Sequence, residues 1–307
     1  MQKVIVICGP TASGKTALSI ELAKQINGEI VSADSMQIYN EMDIGTAKPT
    51  KEEMQGIKHY LIGNVEPTSR YSVSEYKRDA IKAIEEILQK GKNPIVVGGT
   101  GLYVNSLIYG IDYPEIETNL EYRKELEKIV NEKGLEYLYN QAKQIDAKAM
   151  QNISINDKKR ILRVLEIYKE TGKTKTQLEI ESRKNGVPYD YKVFAINMPR
   201  EILYDRINKR VDIMLENGLI DEVNKLYKKY GDNLYTSIQA IGYKEVIEYI
   251  NKKITKEEMI EKIKMETRRY AKRQLTWFRK IENITWIDGL ENMQNNVNII
   301  LEGANCE

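Results

Sequence analysis

The chain has 307 residues, 41% of them hydrophobic and 30% charged, with a formal net charge of +2. This is ordinary soluble composition with room for more than one domain, and no apolar run approaches the roughly 18 residues of a membrane span. The apolar run at residues 3–8 is too brief for a secretory leader, whose apolar region takes about 7–15 residues, and Cys8 and Cys306 show no metal-ligand spacing, so a cytoplasmic protein without zinc or a disulfide is expected.

Residues 3–8 have buried-strand length and run into Gly9, Pro10, Thr11, Ala12, Ser13, Gly14, Lys15 and Thr16, which fit the pattern G-x-x-x-x-G-K-[ST]. Leu18, Ile20, Leu22 and Ile26 then recur at roughly helical spacing, with Gly28 as the expected helix stop. A strand, a tight loop and a helix start in this order aim backbone N–H groups and the positive end of the helix dipole at an anion. Lys15 would reach outer phosphates and Thr16 would hold Mg²⁺, so a bound diphosphate or triphosphate is expected. A second core strand is expected over residues 29–33, with Asp34, Ser35, Met36 and Gln37 at its carboxyl end, where open α/β sheets place ligands. Asp34 can face that ligand or cap the next turn.

Residues 43–50 read as a polar loop and 59–62 as a weak strand, in which His59, the only histidine, reads as structural. Ser72 or Ser74 can cap a helix whose Ala80, Ile84 and Leu88 share a face and which Gly91 stops. Another apolar strand, 94–97, runs into Gly98, Gly99, Thr100 and Gly101 at the same sheet edge. A tight turn needing small residues fits these glycines as well as a ligand-facing loop does but explains Thr100 less well, so Thr100 is a candidate contact.

From about residue 111 to 191 the strand–helix rhythm stops and the chain becomes charged, Tyr-rich and helical, as an insertion would. Here Ile161, Leu165 and Tyr168 are expected to pack inward, leaving Lys159, Arg160 and Arg163 as a basic group. Residues 193–198 read as a strand returning to the sheet. Arg206 and Arg210, four apart on the next helix, suit phosphate oxygens or pair with Asp205 and Asp212. Thr255 and Glu258 form a capping box for a helix reaching about residue 281. Between residues 264 and 280, Lys264, Arg268, Arg269, Lys272, Arg273, Arg279 and Lys280 face a single acid, Glu266, with Tyr270, Trp277 and Phe278 interleaved. Cations for phosphates beside aromatics for unpaired bases are a footprint of RNA binding; a solvated helix with its aromatics in the core is the alternative.

No apolar strand ending in Asp follows the first helix unless residues 30–34 serve, which weakens a motor or GTPase reading. A strand-end carboxylate facing a phosphate loop suits deprotonation of a nucleophile, with the bound phosphates as either donor or leaving group. The competing classes are a small-molecule kinase and an RNA-binding protein with a nucleotide switch.

The phosphate loop, Ser32-Ala-Asp-Ser-Met-Gln-Ile-Tyr39, Val97-Gly-Gly-Thr-Gly-Leu-Tyr103, Arg210-Val-Asp-Ile-Met-Leu215 and Arg273-Gln-Leu-Thr-Trp-Phe-Arg279 together resemble the tRNA dimethylallyltransferases, in family order and spacing over nearly the whole chain. The resemblance implies an α/β fold: a P-loop NTPase-like three-layer core with a parallel sheet, residues 1–112 and 192–307, plus a helical insertion domain, 113–191, that grips the anticodon stem-loop of tRNA. It implies a monomeric enzyme that uses Mg²⁺ and moves a dimethylallyl group from dimethylallyl diphosphate to the exocyclic amine of the adenosine 3′ of the anticodon, with an isopentenyltransferase acting on free adenylate as the close alternative. On this sequence it makes Asp34 the base, puts Lys15, Thr16 and Arg210 on the diphosphate with Thr11 and Ser13 lining the loop, and sets Thr100 beside the adenosine. It places tRNA contacts at Asp34, Ser35, Met36, Gln37, Thr100, Arg123, Lys159, Arg160, Ile161, Leu162, Arg163, Gly242, Tyr243, Lys244, Lys272, Arg273, Gln274, Trp277 and Arg279. Gly63 departs from the usual Asp of relatives, and the lack of a C-terminal zinc finger implies the bacterial type.

Overall fold

The computed structural model describes residues 1–113 and 119–305, so Cys306 lies outside the described residues. The chain forms two compact units, Met1–Ile108 with Pro188–Glu307, and Tyr109–Val187. The boundaries lie four residues before the expected 113 and 191, because Tyr189 and Tyr191 already belong to the sheet-side core.

In the first unit β1 (Lys3–Cys8), β2 (Gly28–Ser32), β3 (His59–Tyr60), β4 (Asn93–Gly98), β5 (Asp190–Asn197) and β6 (Thr285–Asp288) make one parallel sheet in the order β3-β2-β4-β1-β5-β6. A parallel sheet needs cover on both faces, and successive side chains alternate between them. Val4, Val6, Cys8, Val96 and Ala195 pack under the helices Val73–Gln89 and Gly101–Ile108. Ile5, Ile7, Ile95, Phe194 and Ile196 pack under the helices Lys15–Gln25, Arg200–Glu216 and Met293–Ala304. The result is three layers, with Cys8 buried deeply enough that its thiol pKa is pushed up to about 12.

Local signals fix the main boundaries. Ser72 and Thr255 each head a reciprocal capping box, with Glu75 and Glu258. Gly28 is not the helix stop: the helix ends at Gln25, Asn27 takes the left-handed turn with φ 51°, and Gly28 opens β2. A Cβ there would lie 3.0 Å from Ile95 Cδ1 and 3.3 Å from Ala23 Cα, so the glycine lets helix and strand approach.

The long helix Lys256–Phe278 sends Ala271 into one core face and Phe278 into the other, and so crosses the end of the sheet. A third core joins Ile38, Tyr39 and Met42 to the helices Leu219–Tyr230 and Tyr243–Ile250. The second unit is helical, with Leu126, Leu138, Ala142, Met150, Ile161 and Leu165 inside. Tyr168, expected to pack inward, is 43% exposed, because Val164 and Ile167 occupy the inward stripe of the helix Lys158–Thr171. No described helix is long and apolar enough to cross a membrane.

Candidate active site

The loop after β1 turns into its helix through Gly14, whose φ of 91° is the left-handed conformation glycine adopts without strain. Lys15 Nζ donates to the Pro10 carbonyl at 2.8 Å, folded back over its own loop. Burial, then the neighbouring Arg210 charge, bring the Lys15 pKa down to about 8, against the pull of Asp34. Arg210 is likewise lowered by burial and raised by Asp34, so the two cations and one carboxylate share a single electrostatic environment.

Asp34 follows β2, which β4 separates from β1. The strand beside the phosphate loop thus ends in Gly98 and Gly99 rather than a carboxylate, and Asp34 is supplied from one strand further out. Its Oδ1 accepts from Met36 N at 2.9 Å and Gln37 N at 3.3 Å, while among the described residues nothing donates to Oδ2. Asp34 therefore does cap the next turn, with one oxygen, and its other oxygen accepts no hydrogen bond among the described residues. Thr100 Oγ1 accepts from Ser35 N at 3.0 Å and donates to Ser35 Oγ at 3.3 Å, tying the second glycine-rich loop to this turn.

Gln274 on the long helix joins the two loops. Its Oε1 accepts from Thr11 N and its Nε2 donates to Gly99 O, both at 2.9 Å. A Cβ on Gly99 would come within 2.1 Å of Gln274 Nε2, and one on Gly101 within 2.8 Å of Trp277 Cβ. These glycines make room for the crossing helix, which a turn alone did not explain.

Beneath lies a cavity of about 330 Å³ whose walls include Lys15, Thr16, Asp34, Arg210, Tyr270 and Arg273, with Ile207, Val211 and Leu219 on its apolar side. A neighbouring cavity of about 690 Å³ shares Lys15, Thr16, Arg210 and Met214. The two spaces meet at the phosphate loop. Burial, then the Asp34 charge, raise the Tyr270 hydroxyl above its ordinary pKa, keeping it a neutral donor.

Residues 37–281 match the family model described as IPP transferase. The chain is 54% identical over 288 residues to the tRNA dimethylallyltransferase of Acetivibrio thermocellus, covering 94% of this chain and 92% of that one. A solved structure of the full-length tRNA isopentenylpyrophosphate transferase from Bacillus halodurans superposes with a TM-score of 0.74 at 44% identity, covering 99% and 97% of the two chains. A eukaryotic dimethylallyltransferase solved acting on tRNA gives 0.77 at 34% identity, over 94% of this chain and 74% of that one. The chain belongs to the IPP transferase family.

In this IPP transferase, the residues expected at the diphosphate and the base meet in one place: Lys15, Thr16, Asp34 and Arg210. Arg206 is not a second phosphate arginine on that wall, and Asp205 and Asp212 pair instead with Lys209 at 2.8 Å and Lys264 at 2.7 Å. Several expected RNA contacts are buried. Ile161 and Leu162 lie in the core of the helical unit, at 0% and 1% exposure, while Lys159 and Arg160 are exposed beside them. Arg123 and Arg163 both face the buried Glu166, at 3.2 and 3.6 Å. Tyr243 and Gln274 are also buried, their polar atoms spent on Glu222 and on the two loops. Phe278 is a core residue, whereas Lys272, Arg273, Trp277 and Arg279 are exposed. A Cβ on Gly63 would sit 3.5 Å from Lys48 Nζ, a cation already paired with Asp43 at 2.6 Å. His59 bonds locally, its Nδ1 2.9 Å from Ile57 O. Reading along the sequence had Tyr270 only as an aromatic for unpaired bases, not as part of the wall beside Asp34, and missed Glu222 and the bridging role of Gln274.

Proposed function

We propose that this chain moves a dimethylallyl group from dimethylallyl diphosphate to the exocyclic amine of the adenosine 3′ of the tRNA anticodon, releasing diphosphate. The supporting observation is the meeting of Asp34, Lys15, Thr16 and Arg210 on one cavity wall in a chain of this family. The amine nitrogen bonds to the allylic carbon, the carbon–oxygen bond to diphosphate breaks, and the amine proton passes to Asp34 Oδ2. Lys15 and Arg210 bind the departing negative charge, and the low-polarity wall of Ile207, Val211 and Leu219 keeps water from the allylic carbon.

Thr16, exposed at the mouth of the loop, fits as the single protein ligand of Mg²⁺, an ion that keeps several waters and takes its other oxygens from phosphates. When bound, Mg²⁺ supplies further positive charge to the leaving group.

Extruding the adenosine from the anticodon loop costs a few kcal/mol, least for an unpaired base. In the first unit exposed Lys272, Trp277 and Arg279, and in the helical unit exposed Lys159 and Arg160, each suit phosphates or bases of RNA. An anticodon stem-loop carrying adenosine at this position should be modified, and one carrying inosine, which lacks the amine, should not. Equal modification of both would overturn the assignment.

A further inference from the structure

The loop of residues 43–48 forms part of both cavities: Gly45 and Thr46 line the smaller one, and Asp43, Ile44, Ala47 and Lys48 the larger. A polar loop without regular structure would ordinarily be mobile, yet the first three residues of this one are held through their backbone by one carboxylate. Glu222, on the helix Leu219–Tyr230, accepts from Asp43 N at 2.9 Å and Ile44 N at 2.8 Å through Oε2, and from Gly45 N at 3.0 Å through Oε1. Three consecutive N–H groups converging on one anion form a backbone nest, here filled by the protein's own side chain. The Tyr243 hydroxyl adds a fourth donor to Oε1 at 2.6 Å. Gly45 is required for the approach, since a Cβ there would lie 2.4 Å from Tyr243 Cε2. On its other side Gln37 Nε2 donates to the carbonyls of Thr46 and Ala47, both at 3.1 Å, linking the loop to the turn capped by Asp34.

Resting on the function proposed above, we propose that Glu222, with Tyr243, is a positioning residue: it locks the loop 43–48 as the wall of the donor site and so sets how the diphosphate donor lies between the phosphate loop and Asp34. Neither residue needs to touch the donor. Both act through the loop backbone, and the RNA-facing side chains Lys272, Trp277 and Arg279 lie on a different element.

The test is the full-length protein with Glu222→Gln and, separately, Tyr243→Phe. In Glu222→Gln an amide NH₂ replaces one acceptor oxygen and faces N–H donors, whereas Tyr243→Phe removes one donor of four and leaves the nest intact. Glu222→Gln should lower kcat/KM for dimethylallyl diphosphate by about tenfold, the effect of losing a charge-assisted hydrogen bond. The affinity for tRNA should stay within about twofold, and Tyr243→Phe should show a smaller defect of the same kind. Amide exchange at Ile44 and Gly45 should be slow in the parent and fast in Glu222→Gln, with the rest of the chain still protected. If a folded Glu222→Gln keeps parental donor kinetics, or loses donor and tRNA binding in equal measure, the clamp is refuted while the function stands. If Glu222→Gln does not fold, fast exchange of the Ile44 and Gly45 amides in the parent, or Tyr243→Phe acting on tRNA affinity instead of the donor, refutes it equally. A parent with no prenylation of tRNA refutes the underlying function instead.

Discussion

Asp34 has two oxygens in two situations, and a substitution can separate them. Asn retains the Oδ1 that accepts from Met36 and Gln37 N–H but cannot take a proton at the other position. Asp34→Asn should therefore keep its melting temperature and tRNA affinity while losing at least about a hundredfold in rate, the lower end of general-base catalysis. A near-parental rate would leave Asp34 a turn cap alone. Lys15 yields a pH prediction. Its pKa in the free protein is lowered to about 8 by burial and by Arg210, and an anion prefers the protonated amine. Above pH 8, binding must first take up a proton, so pyrophosphate affinity should fall by up to about tenfold per pH unit. Lys15→Arg stays charged throughout and corrects for ionisation of pyrophosphate itself. A constant affinity ratio of the two proteins from pH 7 to 10 would contradict this placement of Lys15.

At the scale of the element, the helix Lys256–Phe278 carries two separable roles on adjacent residues. Phe278 is fully buried in the sheet core, and Trp277 is 36% exposed. Phe278→Ala should cost about 3–5 kcal/mol of stability. Trp277→Ala should cost clearly less stability than Phe278→Ala and weaken tRNA binding by about 1–3 kcal/mol, the range for a base stacked on an aromatic ring. Thermal melts beside binding titrations check both; equal stability losses would show that Trp277 is core. Lys272→Glu with Arg279→Glu should flatten the dependence of tRNA affinity on salt, by roughly 0.7–0.9 in log–log slope for each phosphate that is no longer neutralised. An unaltered slope would make these residues a solvated face. The start of this helix was legible in Thr255 and Glu258, because a capping box is an interaction between residues three apart. Its middle was not. Gln274 meets Thr11 and Gly99, 263 and 175 positions away, and the composition of residues 264–280 could not tell which aromatic turned inward.

At the scale of the whole molecule, alternating apolar strands and the phosphate loop made the three-layer unit legible, since periodicity and loop chemistry are local properties. The order of the strands was not local, and it is the order that puts Asp34 one strand beyond the phosphate loop's neighbour. The same holds for the loop 43–48, whose residues read only as polar because the Glu222 carboxylate that sits within 3.0 Å of their backbone comes from a helix far along the chain. The central claim is that the phosphates bound by Lys15, Thr16 and Arg210 are a leaving group and not a phosphoryl donor. Unmodified tRNA with adenosine 3′ of its anticodon is incubated with the protein, dimethylallyl diphosphate and Mg²⁺, and the nucleoside mass and released pyrophosphate are measured together. One five-carbon unit per tRNA and pyrophosphate in equal amount are expected; unmodified tRNA with intact diphosphate, while ATP is turned over to ADP on a small acceptor, would show a phosphoryl donor instead.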